Sequence, residues 1–292
     1  MASFKKFITN IFSTKKTEND FDIEKIAEYI STTLPPTECI KLTAQSSDTL
    51  TVFDTKLGGI PYLPKNATYP VGTGKYANRP LRLLAQLNFA QLPHINNFPT
   101  EGILQFFCSS DNDDAMYGLD LESETACQQN GFRVIYYPNI ITDESLLTPE
   151  NEMPQIEGEQ VFPFDEQFAL QAEKTIATAS YTDFRAEATI LKAIEATTGK
   201  KYNSLYELTD EQHDLVCNTF KSEGILINGY PHFTQDDPRY NEAYAKHTIC
   251  LLQIDSDDDI MWGDMGVANF FIEPEKLKKL DFSNVLYNWD CY

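Results

Sequence analysis

Three observations predict an α+β fold built on mainly antiparallel β-structure. Beyond Pro36 the chain runs in short β-branched and aromatic stretches broken by Gly, Pro and Asn; helical periodicity is confined to the N-terminus and the middle; and four short blocks recur in the same order in both halves. The expected architecture is two similar β units from an internal duplication, about 38–140 and 165–292. They pack as one body, a single domain over 1–292, with helices at 1–34 and between the units.

The elements follow in chain order. Phe4, Phe7, Ile8, Ile11 and Phe12 lie at helical spacing among Lys5, Lys6, Lys15 and Lys16, which predicts a short basic amphipathic helix attracted to the acidic remainder of the chain. A second helix opens near Asp20, aligns Ile23, Ile26, Ala27 and Ile30, and ends before Pro35-Pro36. In the middle, Asp183 to Thr198 places Phe184, Ala188, Leu191 and Ile194 on one face and meets Gly199 as a stop. Thr209-Asp210-Glu211-Gln212 is a capping box opening a helix to about Ser222.

The recurring blocks carry the duplication. Gly59-Ile60-Pro61 matches Gly229-Tyr230-Pro231, and Leu84-Ala85-Gln86-Leu87-Asn88 matches Leu251-Leu252-Gln253-Ile254-Asp255. Gly102-Ile103-Leu104-Gln105-Phe106-Phe107 matches Gly266-Val267-Ala268-Asn269-Phe270-Phe271, and Val134-Ile135-Tyr136 matches Val285-Leu286-Tyr287. Glycine to glutamine spans 27 and 24 positions, and glutamine to the next glycine 16 and 13. Gln86 and Gln253 are expected to be buried in strands, where their amides must bond backbone groups or one another. Each Phe-Phe pair points to opposite faces of its strand, so one ring enters a core and the other needs a cover from the other repeat or the central helices.

Composition narrows the function. The 292 residues hold 44 acidic and 23 basic side chains, a net charge of −21, with 42% hydrophobic and 12% aromatic residues. A surface this negative repels phosphate backbones, so nucleic acid is excluded, and a basic protein is the favoured partner. No secretory signal or membrane-length apolar run is read, which predicts a cytoplasmic protein without a transmembrane segment. Cys39, Cys108, Cys127, Cys217, Cys250 and Cys291 form no CxxC pair and read as reduced thiols.

Taken together, Gly58-Gly59-Ile60-Pro61-Tyr62-Leu63-Pro64, the two glutamine strands, Gly229 through Arg239, and Met261-Trp262-Gly263-Asp264-Met265-Gly266 resemble the YwqG-like bacterial family, a domain of unknown function. The resemblance covers nearly the whole chain. It implies a cytosolic bacterial protein with a duplicated α+β fold, and it implies no activity or site residues.

No catalytic residue is assigned and no cofactor is expected. Gly72-Thr73-Gly74-Lys75 lacks the Walker spacing, and no nucleophile elbow, His-Glu-x-x-His or dinucleotide motif occurs. Two clusters remain. His232, Asp236, Asp237 and Arg239 crowd one loop beside Gly229-Tyr230-Pro231, where they either bind a ligand or cap the loop. Asp255, Asp257, Asp259 and Asp264 form an acidic loop that is a weak calcium candidate and reads first as a solvated turn; Asp111-Asn112-Asp113-Asp114 is a second acidic turn. The leading expectation is a non-catalytic binding protein with an acidic face anchored by Tyr230, Phe233, Trp262 and Trp289. The alternative is a small-molecule binder or hydrolase with its pocket at the repeat junction.

Overall fold

The computed structural model describes residues 21–111, 116–119, 126–156 and 160–292. The basic N-terminal helix and Asn112 to Asp114 lie outside them. The chain divides into two compact units, Met1–Pro36 with Thr178–Ser222, and Thr37–Ala177 with Glu223–Tyr292.

The first unit is helical. Helix α1 (Ile23–Thr33) starts where Asp22 accepts a hydrogen bond from Lys25 N and buries Ile23, Ile26 and Ile30, as the periodicity demands. Helix α2 (Ala186–Thr198) stops at left-handed Gly199 but begins later than expected. Asp183 is instead clamped by Arg185, whose Nε and Nη2 donate at 2.7 and 2.6 Å. The buried face of the helix is Ala186, Thr189, Ile190, Ala193 and Ile194, so Ile194 lies on it as expected while Ala188 is exposed. Helix α3 (Asp210–Thr219) carries the expected capping box between Thr209 and Gln212.

The second unit is one antiparallel sheet of ten strands, and not the two docked sheets expected. In chain order they are β1 (Thr37–Ser46), β2 (Lys56–Leu57), β3 (Arg82–Asn88), β4 (Ile103–Cys108), β5 (Phe132–Tyr137), β6 (Phe168–Ala177), β7 (Ile225–Ile227), β8 (Ile249–Asp255), β9 (Val267–Ile272) and β10 (Leu286–Asp290). A short helix, α4 (Pro274–Lys278), follows β9. The sheet order is β10-β9-β8-β7-β1-β6-β2-β3-β4-β5. Long strands β1 and β6 pair at the centre over ten residues, and each continues into the other half's strands: β1 pairs with β7 and β6 with β2.

The two arms share their registers. Gln86 faces Gln105 across β3 and β4, and Gln253 faces Asn269 across β8 and β9. Both pairs show a register shift one to three residues earlier, between Leu83 and Ala85 and between Cys250 and Leu252. The last repeated block is displaced, however. Val134 faces Phe106 and Tyr287 faces Phe270, so Tyr287 and not Val285 occupies the place of Val134.

Phe106 and Phe270 meet across the interior with ring centroids 4.9 Å apart, beside Phe132 and Tyr287. The opposite rings, Phe107 and Phe271, are covered by the loops of their own arms, by Tyr69 at 6.1 Å and Phe233 at 6.0 Å respectively.

The buried amides hold those loops. Gln86 Oε1 accepts from Tyr62 N at 2.9 Å and Gln105 Nε2 at 2.7 Å, while Gln105 Nε2 also donates to Tyr62 O at 2.8 Å. In the other arm, Gln253 Oε1 accepts from His232 N at 2.8 Å and Asn269 Nδ2 donates to His232 O at 2.8 Å. Gln86 Nε2 binds Val52 O and Asp54 O, and Gln253 Nε2 binds Gly224 O. Gly59 and Gly229 turn the chain into these strips at φ +71° and +94°, conformations that side chains disfavour.

Lys56, opposite Gln86 in β2, is fully buried and donates from Nζ to Thr51 O and Ile60 O, both at 2.6 Å. Burial pulls its ammonium down to about 8, opposed by nearby Asp54.

Two predictions arise from this framework. Gln86→Ala and Gln253→Ala each strand several buried partners, so each is expected to lower stability by about 2–4 kcal/mol in urea denaturation, and a loss under 1 kcal/mol would show that the strips hold without them. Between about pH 8 and 10.5 the unfolded chain keeps a proton on Lys56 that the native state has lost. Relative to Lys56→Met, the stability of the wild type is therefore expected to rise across that window, and parallel pH curves would remove the assignment.

Candidate functional site

The loop after Gly229-Tyr230-Pro231 is fixed before its side chains are considered, because the backbone of His232 is held between Gln253 and Asn269. From there the chain reaches Asp237 and Arg239. Both are fully buried, and Arg239 Nε and Nη2 grip the two carboxylate oxygens at 2.9 and 2.7 Å. Arg239 N donates to the same carboxylate at 2.9 Å, and the guanidinium lies 4.2 Å from the Phe271 ring centroid. Asp183 and Arg185 make the same Asp-x-Arg clamp in the helical unit. Arg239 thus covers Phe271 and Asp237 neutralises it, both buried, while Asp236 is exposed.

The aromatic residues proposed as surface anchors also point inward. Phe233 and Trp262 are 1% and 0% exposed, and Tyr230 is buried. Trp262 and half-buried Trp289 enclose Tyr117, at 5.1 and 4.9 Å, and Trp289 Nε1 donates to Met116 O at 2.8 Å. Phe233 and Trp262 lie in the core, and Trp289 packs against it.

What the fold does assemble is a row across three strands. Asp255 in β8 and Asp290 in β10 both face Val267 in β9, two residues beyond the Gln253-Asn269 pair and therefore on the same outer surface. His232 lies close enough to draw both carboxyls down, against burial, the larger effect, which holds both above the usual carboxylate range. Asp290 accepts from Thr234 N at 3.2 Å, Thr234 Oγ1 at 3.0 Å and Gln235 N at 3.1 Å; Asp255 accepts from Gly224 N and Ser256 N, both at 3.0 Å. Neither carboxylate has a Lys or Arg partner among the described residues, and His232 Nδ1 is buried with no hydrogen bond.

The other arm fills the same places without this chemistry. Tyr62 stands for His232, Asn88 for Asp255, Ile103 for Val267 and Tyr137 for Asp290. The Tyr62 and Tyr137 rings pack edge to face at 5.2 Å over Ile103. Asp290 was missed in the sequence because it joins the cluster only through the β9–β10 register.

Beyond Asp255 the acidic loop turns on itself: Asp257 Oδ1 accepts from Asp259 N and Ile260 N, both at 2.9 Å. Asp257, Asp258, Asp259 and Asp264 are exposed, and so are Met261, Met265 and Tyr292 at the same edge. The set Asp255, Asp257, Asp259 and Asp264 is not drawn together, and among the described residues no group of three or more His, Cys, Asp or Glu is arranged to hold a metal ion. A groove of about 600 Å³ lies in the other arm between Gly59-Ile60-Pro61, Tyr69 and Arg82 and the segment Asp165-Glu166-Gln167. Its arginine is already engaged, stacked on Phe162 at 4.2 Å and donating to Phe164 O and Asp165 O.

Comparison with protein families places residues 55–291 on the model of DUF1963, a domain of unknown function. The chain belongs to the DUF1963 family. The DUF1963 region begins one residue before Lys56 and takes in β2 to β10, including His232, Asp255 and Asp290. No curated protein matches the chain. Among the described residues of this DUF1963 protein, no helix is long and apolar enough to cross a membrane, and none of the six cysteines is in a disulfide.

The buried clamp makes a stability prediction. Arg239→Ala removes both guanidinium bonds to the buried Asp237 carboxylate and the charge that neutralises it, and is expected to destabilise the protein by about 3–5 kcal/mol in chemical denaturation. His232→Ala, which keeps the backbone bonds, is expected to remain near wild type. Equal stability of the two variants would return Arg239 to the list of ligand-binding residues.

Proposed function

We propose that this DUF1963 protein is a non-catalytic binding protein that recognises a basic protein segment at the acidic edge of its second arm. The carrying observation is the pair of half-buried Asp255 and buried Asp290, carboxylates without a Lys or Arg partner among the described residues, beside four exposed aspartates. Charges held away from water without a counter-ion are costly, and a cationic partner relieves that cost. Met261, Met265 and Tyr292 supply adaptable apolar contact at the same edge, the role first assigned to the buried rings. The high negative charge steers such a partner.

A cytoplasmic location, YwqG-like bacterial membership and origin by duplication complete the reading. The duplication is supported by the shared registers, register shifts and amide bonds of the two arms, and a single domain over 1–292 belongs to the same reading. A second reading, a small-molecule binder, draws on the groove beside Arg82, whose volume suits a ligand.

The test is binding of a lysine-rich peptide at two ionic strengths. Wild type is expected to bind and to weaken as salt rises, and Asp257→Lys/Asp258→Lys/Asp259→Lys is expected to lose at least about tenfold in affinity. Undiminished binding by the reversed loop would refute the acidic edge as the interface.

A further inference from the structure

The groove of the first arm lies where the sheet lacks a strand. Strand β2 ends at Leu57, and Gly58 and Gly59, at φ +65° and +71°, carry the chain out of the sheet after Gly58 N donates a last bond to Leu84 O at 3.1 Å. Its neighbours run on: β3 reaches back to Arg82, and Ser47 N holds Gln167 O in line with β6. Adjacent strands lie about 4.8 Å apart, so the missing one leaves a lane roughly 10 Å wide. In the other arm Asn228 takes the place of Gly58 and bridges that lane, donating from N to Cys250 O at 2.8 Å and from Nδ2 to Glu38 O at 2.7 Å. A glycine has no amide to do so, and about 600 Å³ stays open between Arg82 on one side and Asp165 and Gln167 on the other, a volume within the range of small-ligand sites.

The polar groups around this opening have capacity left. Arg82, stacked on Phe162, crosses the lane to Phe164 O and Asp165 O, both at 3.3 Å. Both bonds leave from Nη2, while Nε and Nη1 have no acceptor among the described residues and stay open to solvent. Burial lowers the guanidinium, and nearby Asp165 is among the groups that oppose this. The Asp165 carboxylate is exposed and makes no ion pair among the described residues. The Gln167 amide lies over Gly59, where a side chain would collide with its oxygen, and has no hydrogen bond among the described residues. The ammonium and carboxylate of an α-amino acid share one carbon, so the groups that receive them must be neighbours, as Arg82 and Asp165 are.

We propose that the groove seats a free α-amino acid with a polar, uncharged side chain, its carboxylate on Arg82, its ammonium on Asp165 and its side chain toward Gln167. The proposal rests on the small-molecule reading of this groove and names the ligand class. Glu150, Asp165 and Glu166 at the rim disfavour a simple anion, and Arg82 disfavours a simple cation; a dipolar ligand satisfies both. Glu166 is already engaged by Ser46 Oγ at 2.7 Å, which leaves Asp165 as the nearer acceptor for the ammonium.

The experiment follows the Met153 and Met265 methyl groups by NMR during titration with L-glutamine, N-acetyl-L-glutamine and L-glutamine amide. Met153 lines the groove, and Met265 marks the acidic edge. L-Glutamine is expected to move Met153 and leave Met265 in place, with each blocked form at least about tenfold weaker because it leaves one charged group of the groove unpaired. Asp165→Asn is expected to weaken L-glutamine at least about tenfold and to leave N-acetyl-L-glutamine, which has no ammonium, unchanged. Arg82→Gln is expected to weaken L-glutamine likewise and to leave L-glutamine amide unchanged. A variant that merely folded badly would weaken all three ligands together. If the blocked forms move Met153 as readily as L-glutamine does, the amino-acid seat is wrong and the small-molecule reading of the groove survives. If none of the three moves Met153, the amino-acid class is overturned whatever else the groove binds.

Discussion

The structure depends on four buried carboxamides. Gln86 with Gln105, and Gln253 with Asn269, reach across adjacent strands and hold the strips beginning at Tyr62 and His232 against the outer face of the sheet. An extended strip crossing a sheet has backbone groups that the ladder cannot satisfy, and an amide can offer both a donor and an acceptor to the same residue. Once the strips are held, the glycine turns, the covers over Phe107 and Phe271, and the position of His232 all follow.

This dependence explains why one arm can carry a site while the other serves packing. The amides fix backbone and are indifferent to the side chain at the held residue. Tyr62 and His232 receive the same bonds, yet one ring joins an aromatic cluster and the other lies among carboxylates. The side chain at the held position can differ between the arms because the bonds that hold it go to its backbone.

Much of the fold was legible in the sequence, for local reasons. Ile23, Ile26 and Ile30 announced α1, the Thr209 capping box announced α3, and the burial of both glutamines followed from their apolar flanks. What escaped was set by pairing at long range. The fusion of ten strands into one sheet, the two-residue displacement of Tyr287 and the approach of Asp290 to Asp255 are matters of register, which residue types do not encode singly. The site was half legible. His232 and Asp255 stood out by charge density, but Asp237 and Arg239 consumed one another, and Trp262 and Phe233 were drawn into the interior by the same apolar area that made them attractive as anchors.

The exchange of β1 and β6 between arms bears on how the molecule comes into being. Strand β1 leaves the ribosome early but finds its neighbours in β6 and β7, more than a hundred residues later. Neither arm completes its hydrogen-bond ladder from its own residues, so the nascent chain must keep long unpaired edges until most of it has been synthesised. Such edges accept any matching strand. The pairing of β1 with β6 and β7, across the greatest separation in the sheet, therefore sets a long loop to be closed before the two arms are joined.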